Sequence, residues 1–350
     1  MKGRARHSAI GELPRRATLS DVARDAGVSV MTVSNFVHGK PVRVQTRKPI
    51  EAAIARLNYR PNVSARSLRL AKEYSVGIVI ADSDPEYLND PFISRLVSGL
   101  SNYLSSLDFT LDVQGVAPER FEGATILRKV GNEALCAILC GPRALRRQQF
   151  DYLGGLGQPI IVFRETFQSS SPNVAVVGQD DLSGGKQLGA HLRQRGARSV
   201  MFVRPSLDWC AVEQREKGLR AALEGRSSKA NVRTVIATSE RFADVHDTVS
   251  RELARRMPDA VVAATDSMAA AALKACEHSG LRVPRDLVVA GFNGFDVWAC
   301  TSPTLTTVLS PAYEMGRLAG ELLLERLKSG RFARRTATLP VRLQVGQSTV

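Results

Sequence analysis

The stretch Ser29-Val30-Met31-Thr32-Val33-Ser34-Asn35-Phe36-Val37-His38 mixes short hydrogen-bonding side chains with apolar ones at helical spacing. With Val33 and Phe36/Val37 turned to one side, Val30, Met31 and Asn35 share the other. A carboxamide at Asn35 sets a donor beside an acceptor, the pattern that meets the major-groove edge of adenine. Val30 and Met31 offer only apolar contact, for example to a thymine methyl. Ser29, Thr32, Ser34 and His38 suit phosphate oxygens. Charge points the same way. Of 48 Lys/Arg and 34 Asp/Glu in the 350 residues (net +14), residues 1–74 hold 15 and 5. A basic head precedes a nearly neutral body, so the head is the part that meets a polyanion.

Elements that position these residues follow from the flanking sequence. Ser20 is the expected N-cap of a first helix with a Val22, Ala23, Ala26 stripe, and Gly27 supplies the left-handed turn that ends it. Ser29 caps the second helix, Val30 to Val37. Ala23, Gly27 and Val33 stand at the spacing of a helix-turn-helix: a small residue for close crossing, a turn, a plug. A third helix is expected with Thr46 as N-cap, Pro49 in its first turn, and Ile50, Ala53, Ile54 and Leu57 buried. Asn62 can cap a short fourth segment, Val63 to Leu70, which carries Arg66, Leu68 and Arg69 but almost no core of its own. It reads as a hinge that orders only when docked. The expected organisation is a basic extension (1–17), a helix-turn-helix domain (18–61), a hinge helix and linker (62–74) and a large body (75–350).

In the body, the apolar runs VGIVIA, FTLDV, ALCAILCG, PIIVF, SVMFV, AVVAAT and LVVAGF alternate with helical stretches such as PFISRLVSGLSNYLSSL. Each reads as a parallel strand covered on both faces, giving two doubly wound α/β sheets. No G-x-G-x-x-G, Walker loop or H-E-x-x-H occurs, and no nucleophile, base and orienter converge; an enzyme, a cofactor and a metal site lack support. Cys136 and Cys140 are expected on one strand face as buried structural thiols. Five cysteines, an odd number, argue for a reducing compartment. The basic N-terminus lacks the apolar stretch of a secretory signal, and no run approaches the roughly 20 residues of a membrane span. The expected location is the cytoplasm, at the nucleoid. A solute-binding protein without a nucleic-acid role is the alternative that the body alone would permit.

The ordered motifs T-L-x-D-V-A-x-x-A-G-V-S-x-x-T-V-S, T-R and L-N-Y-R-P-N-x-x-A-R-S-L resemble the lactose-repressor (LacI/GalR) family of bacterial transcription regulators. The resemblance implies a homodimer on a pseudo-palindromic double-stranded operator, released or recruited by a small-molecule effector. It also implies paired hinge helices, with Leu68 wedged into the minor groove; packing of Leu68 on the bundle is the other reading. Asn35 replaces the family's Arg or His. His38 stands where Asn is usual, and Arg43 replaces a Ser, adding a possible phosphate contact while removing a cap.

For the body the resemblance implies a periplasmic-binding-protein-like sensor: lobe 1 at about 75–178 and 310–339, lobe 2 at about 179–309 and 340–350. Implied effector residues follow the strand ends. Asp82 ends the first strand, and Phe92 lies against a ligand ring or in the core. Arg164 follows PIIVF, either in the cleft or exposed, and Trp209 is a further candidate. Arg215 matches R-x-x-G. Asp266 bonds a ligand hydroxyl or caps its helix. Asn293 stands where an Asp is usual. Losing that charge beside two arginines favours a neutral or anionic effector, a sugar or sugar acid, with a nucleobase as alternative. The G-F-x-G form and Met31 are similar to the gluconate-responsive branch.

Overall fold

The computed structural model describes residues 17–37, 40–57, 59, 74–82, 86–224 and 230–350. The chain divides at residues 72 and 73 into two compact units.

Three helices build the first: α1 (Leu19–Asp25), α2 (Val30–Val37) and α3 (Val44–Arg56). Helix α1 starts two residues earlier than a Ser20 cap would give. Thr18 is the N-cap, accepting from the Asp21 N–H at 3.3 Å while the Asp21 carboxylate accepts from the Thr18 N–H at 2.9 Å. That reciprocal box satisfies two backbone donors where a lone serine satisfies one. Gly27 (φ +65°) makes the turn. Ser29 caps α2, its hydroxyl accepting from the Thr32 N–H at 3.2 Å. Helix α3 also begins early, at Val44. Thr46 is not its cap but donates its hydroxyl to the Arg43 carbonyl at 2.7 Å. Pro49 therefore falls inside α3 rather than in its first turn, where it lacks an N–H to return to the preceding turn. Val22, Ala23, Val33, Ile50, Ala53 and Tyr59 form the buried core of this unit.

The second unit holds two parallel sheets. One has six strands in the order β11-β5-β4-β3-β1-β2. They are β1 (Ser75–Ala81), β2 (Thr110–Val116), β3 (Asn132–Ile138), β4 (Ile160–Phe163), β5 (Val174–Gln179) and β11 (Thr336–Leu339). The other runs β7-β6-β8-β9, from β6 (Ser199–Pro205), β7 (Asn231–Ala237), β8 (Ala260–Ala263) and β9 (Val288–Ala290). An antiparallel pair, β10 (Thr307–Leu309) with β12 (Arg342–Gln344), completes it. Helices α4 (Pro91–Ser105), α5 (Arg143–Gly154) and α11 (Ala312–Ser329) serve the first sheet. To the second belong α6 (Asp181–Gln194), α7 (Cys210–Leu223), α8 (Phe242–Arg255), α9 (Asp266–His278) and α10 (Val297–Cys300). Each sheet with its helices is a lobe. The chain passes between lobes after β5, after β10 and after β11. These crossings are knitted together: the Ser310 hydroxyl donates to Gln179 Oε1 at 2.5 Å, and the Asp180 N–H to the Leu339 carbonyl at 2.9 Å.

Two expectations change here. Strand β2 is not covered on both faces; it is an edge strand with half-exposed residues throughout. Cys136 and Cys140 do not share a strand face, because β3 ends at Ile138 and Cys140 lies beyond it, in a different buried cluster. Burial raises both thiols, Cys140 to about 11. Among the described residues no helix is long and apolar enough to cross a membrane, and no three His, Cys, Asp or Glu side chains gather as a metal would need.

Candidate functional site

In the head, one side of α2 is sealed by Val33 and the other is held open. Val30 is 45% exposed and Met31 69%, so the open side of α2 is apolar at its start. Asn35 lies half-buried on the same helix. Ser29 and Thr32 bond each other through their hydroxyls at 2.8 Å, and both remain at the mouth of α2. Arg43 precedes α3 exposed, with no capping bond. Arg47 and Lys48, which the sequence reading passed over, are exposed beside it in the opening turns of α3. No acidic residue offsets these cations in the first turn, so the positive end of the helix dipole and three cationic side chains coincide. His38, Arg66, Leu68 and Arg69 lie outside the described residues.

In the body, the strand-end residues fall into two groups. The first surrounds Arg215, buried on α7. Its Nε donates to Asp181 Oδ1 at 2.8 Å, Nη1 to the Ala264 carbonyl at 2.7 Å and Nη2 to Asn293 Oδ1 at 3.0 Å. Its guanidinium lies 3.8 Å over the Phe292 ring. Two N–H groups are left for anything else. Close approach of α6 and α7 makes this possible: a Cβ on Gly185 would sit 2.2 Å from the Arg215 carbonyl, and one on Gly218 2.1 Å from that of Leu182. Asn293 takes a left-handed φ of +113°, which asparagine tolerates better than most residues. Asp266 does not cap α9, for Thr265 does, accepting from the Met268 N–H at 3.3 Å. Its carboxylate instead accepts from the Thr307 hydroxyl at 2.6 Å and the Gly294 N–H at 2.7 Å. Burial raises its pKa to about 6 against those bonds.

The second group lies across the lobes. Arg164, with a left-handed φ of +57°, follows β4. Its guanidinium sits 4.1 Å over the ring of Phe92, which is buried at the start of α4, and 5.7 Å from that of Trp209 at the start of α7. The Trp209 indole donates to Cys140 Sγ at 3.0 Å. Burial disfavours the Arg164 charge, and Asp90, the N-cap of α4, offsets it. Burial likewise raises Asp90, with Arg164 opposing. Asp82 stands half-buried just beyond β1.

Asp181, Thr307 and Glu240 escaped the sequence reading. Glu240, in the loop between β7 and α8, is the most informative. Its Oε1 is buried with no hydrogen-bond partner among the described atoms. Burial raises its pKa to about 8; Asp90 and Asp82 add to the rise, while Arg215 and Arg164 oppose it. Five carboxyl groups (Asp82, Asp90, Asp181, Glu240, Asp266) therefore lie around the two guanidiniums, with Glu240 held protonated at neutral pH.

Residues 18–62 match the family described as bacterial regulatory proteins, lacI family, and residues 190–349 a periplasmic binding protein-like domain. The HTH-type transcriptional regulator CelR of Thermobifida fusca is 31% identical over 342 residues, 95% of this chain and 96% of its own. Catabolite control protein A of Staphylococcus xylosus is 25% identical over 95% of this chain and 99% of its own. A solved CelR–cellobiose complex is 26% identical with a TM-score of 0.68, covering 95% of this chain and all of that one. The lac repressor dimer bound to operator shares the fold at a TM-score of 0.74 and 23% identity, covering 96% and 100%. With a helix-turn-helix head and a two-lobed α/β body, the chain belongs to the LacI family of bacterial transcription regulators.

Proposed function

We propose that this regulator acts as a homodimer whose two heads read a near-palindromic operator and whose body captures a small hydroxylated effector, a neutral sugar before a sugar acid. The observation that carries the DNA reading is the outward presentation of Val30 and Met31 on a helix whose opposite side is sealed. Base edges are the surface that such a helix meets in a major groove. Met31 and Val30 specify apolar groups, Asn35 an adenine, and Arg43, Arg47 and Lys48 hold phosphates.

Support for a neutral sugar comes from the carboxyl-rich space. Arg215 is matched by Asp181, Arg164 has Asp90 at hand, and the Glu240 carboxyl, whose Oε1 is buried with no partner among the described residues, can bond a hydroxyl group. This revises the charge argument drawn from Asn293 alone, which weighed two arginines without the acids that surround them. A cellobiose complex of a 26% identical regulator supports the same class.

Selection of full-length protein against random duplexes tests the DNA reading. The expected result is a two-fold-symmetric site, with Met31→Ala and Asn35→Ala each relaxing preference at one position per half-site. Recovery of no site at moderate salt would refute it. A thermal-shift panel of cellobiose, ribose and gluconate tests the effector class, since a ligand bound to the folded state raises the melting temperature by mass action. Gluconate shifting the protein while neutral sugars fail would reverse the ordering of the two classes.

A further inference from the structure

Arg146, in the first turn of α5, is the largest fully buried side chain among the described residues, at 0% exposure. Its Nε donates to the Gly141 carbonyl at 3.0 Å and its Nη1 to Glu165 Oε1 at 2.5 Å. Both partners belong to its own lobe. Its third bond leaves the lobe: Nη2 donates to Glu213 Oε1 at 3.3 Å, and Glu213 stands in the first turn of α7. Glu165 is the residue after Arg164, and Glu213 lies two before Arg215. One buried cation thus ties together the two segments that carry the arginines of the cleft.

The three bonds differ in kind. Arg146 and Glu165 are both sealed from water, and a buried pair of this sort is costly to break. The Glu213 side chain is 34% exposed and its bond is the longest. If the lobes part, Arg146 keeps Glu165 and Gly141 while Glu213 meets water, so neither charge is stranded. Two weaker contacts share this seam, Trp209 to Cys140 and the Cys210 thiol to the Thr166 hydroxyl at 3.8 Å. The other rim holds no buried ion pair among the described residues: the pair Arg95–Asp296 is exposed, a kind worth little, and Phe295 packs there against the first lobe beneath the Arg95 guanidinium.

We propose that Arg146 and Glu213 form a reversible latch between the lobes, positioning residues that set the separation of Arg164 and Arg215. Its role in effector capture rests on the reading of this cleft as the effector site; the latch itself does not.

Hydrogen exchange on the full-length, sugar-free protein tests it with Glu213→Gln, which leaves the Arg146–Glu165 pair intact. The expected result is exchange about fivefold faster or more in peptides covering 139–146, 164–168 and 209–216, with the α11 peptides unchanged. Melting temperature stays within about 2 °C, because only the charge on a partly exposed bond is lost. Unchanged exchange at the seam overturns the latch. Equal acceleration at the seam and in α11 also overturns it, since Glu213 would then serve the fold as a whole. Arg95→Gln, on the other rim, is expected to leave the seam peptides unchanged; acceleration there equal to that of Glu213→Gln would deny Glu213 any special part. No sugar is present, so failure of the sugar panel would refute the effector reading and leave this result standing.

Discussion

Replacing Glu240 by glutamine should change how the body's stability depends on pH more than how stable it is at any one pH. Glutamine keeps the shape and removes the titration. In the folded chain burial raises the Glu240 carboxyl from its ordinary 4.5 to about 8, with Asp90 and Asp82 reinforcing and Arg215 and Arg164 opposing. Between those values the unfolded chain has released this proton and the folded chain has kept it. The folded state then binds more protons, so stability falls as pH rises through the window and levels off above about 8. At about 1.4 kcal/mol per pH unit, the window sets a ceiling near 5 kcal/mol. Relaxation and water entry around an ionised group recover part of this, so the expected difference is about 2 kcal/mol. Urea unfolding of both proteins at fixed ionic strength, every half unit from pH 5 to 9, reads this out. Curves that coincide near pH 5 and separate by about 2 kcal/mol at pH 9, the variant the more stable, are expected. Parallel curves across the range would mean that Glu240 is solvated and ionised in the folded protein, and the description of the cleft would fail.

Three further outcomes follow from the geometry. Arg215→Met strands the buried Asp181 carboxylate and should cost about 3–5 kcal/mol in urea unfolding, partly recovered by adding Asp181→Asn; absence of recovery would show that the two do not act as a pair. Gly185→Ala forces a methyl against the Arg215 carbonyl and should lower stability by about 1–3 kcal/mol by calorimetry, whereas an unchanged melting temperature would mean that α6 and α7 part freely. Thr18→Ala breaks the capping box of α1 and should cost the head about 1 kcal/mol, seen as faster amide exchange confined to that unit; exchange at the wild-type rate would show the box to be dispensable.

Much of this molecule could be read from local chemistry. A glycine with a serine two residues on, a small alanine and a plugging valine define the head because turn, crossing and plug are decided within about fifteen residues. The recognition helix came out at its observed ends, Val30 and Val37. Where two local signals competed, the neighbouring one won: Thr18 with Asp21 outbid Ser20, and Thr46 donates backward rather than capping forward. In the body the long apolar strands were legible for the same reason. Strand β7 was not, because its half-exposed edge pattern lacks the uniform apolar signature of a covered strand, and β5 was passed over although it is mostly buried and α6 follows it at once. Those omissions had a consequence. Asp181 follows β5 and Glu240 follows β7, so two acids of the cleft went unseen along with the strands that deliver them.

What the sequence alone determined is the kind of parts: a cationic head built for a polyanion, an α/β body, Arg164, Asp266 and Asn293 just beyond strands, and Arg215 on a helix. Only the folded chain decided their charges and partners. Arg215 looked like a free cation and is matched by Asp181; Asp266 looked like a cap and is held by Thr307 and Gly294; Arg146 gave no signal and ties one lobe to the other. The reason is distance along the chain. A cap or a turn is closed by residues three or four apart, whereas the partners of Arg215 come from three separate crossings of the fold, and electrostatics depends on what those crossings bring within a few ångströms.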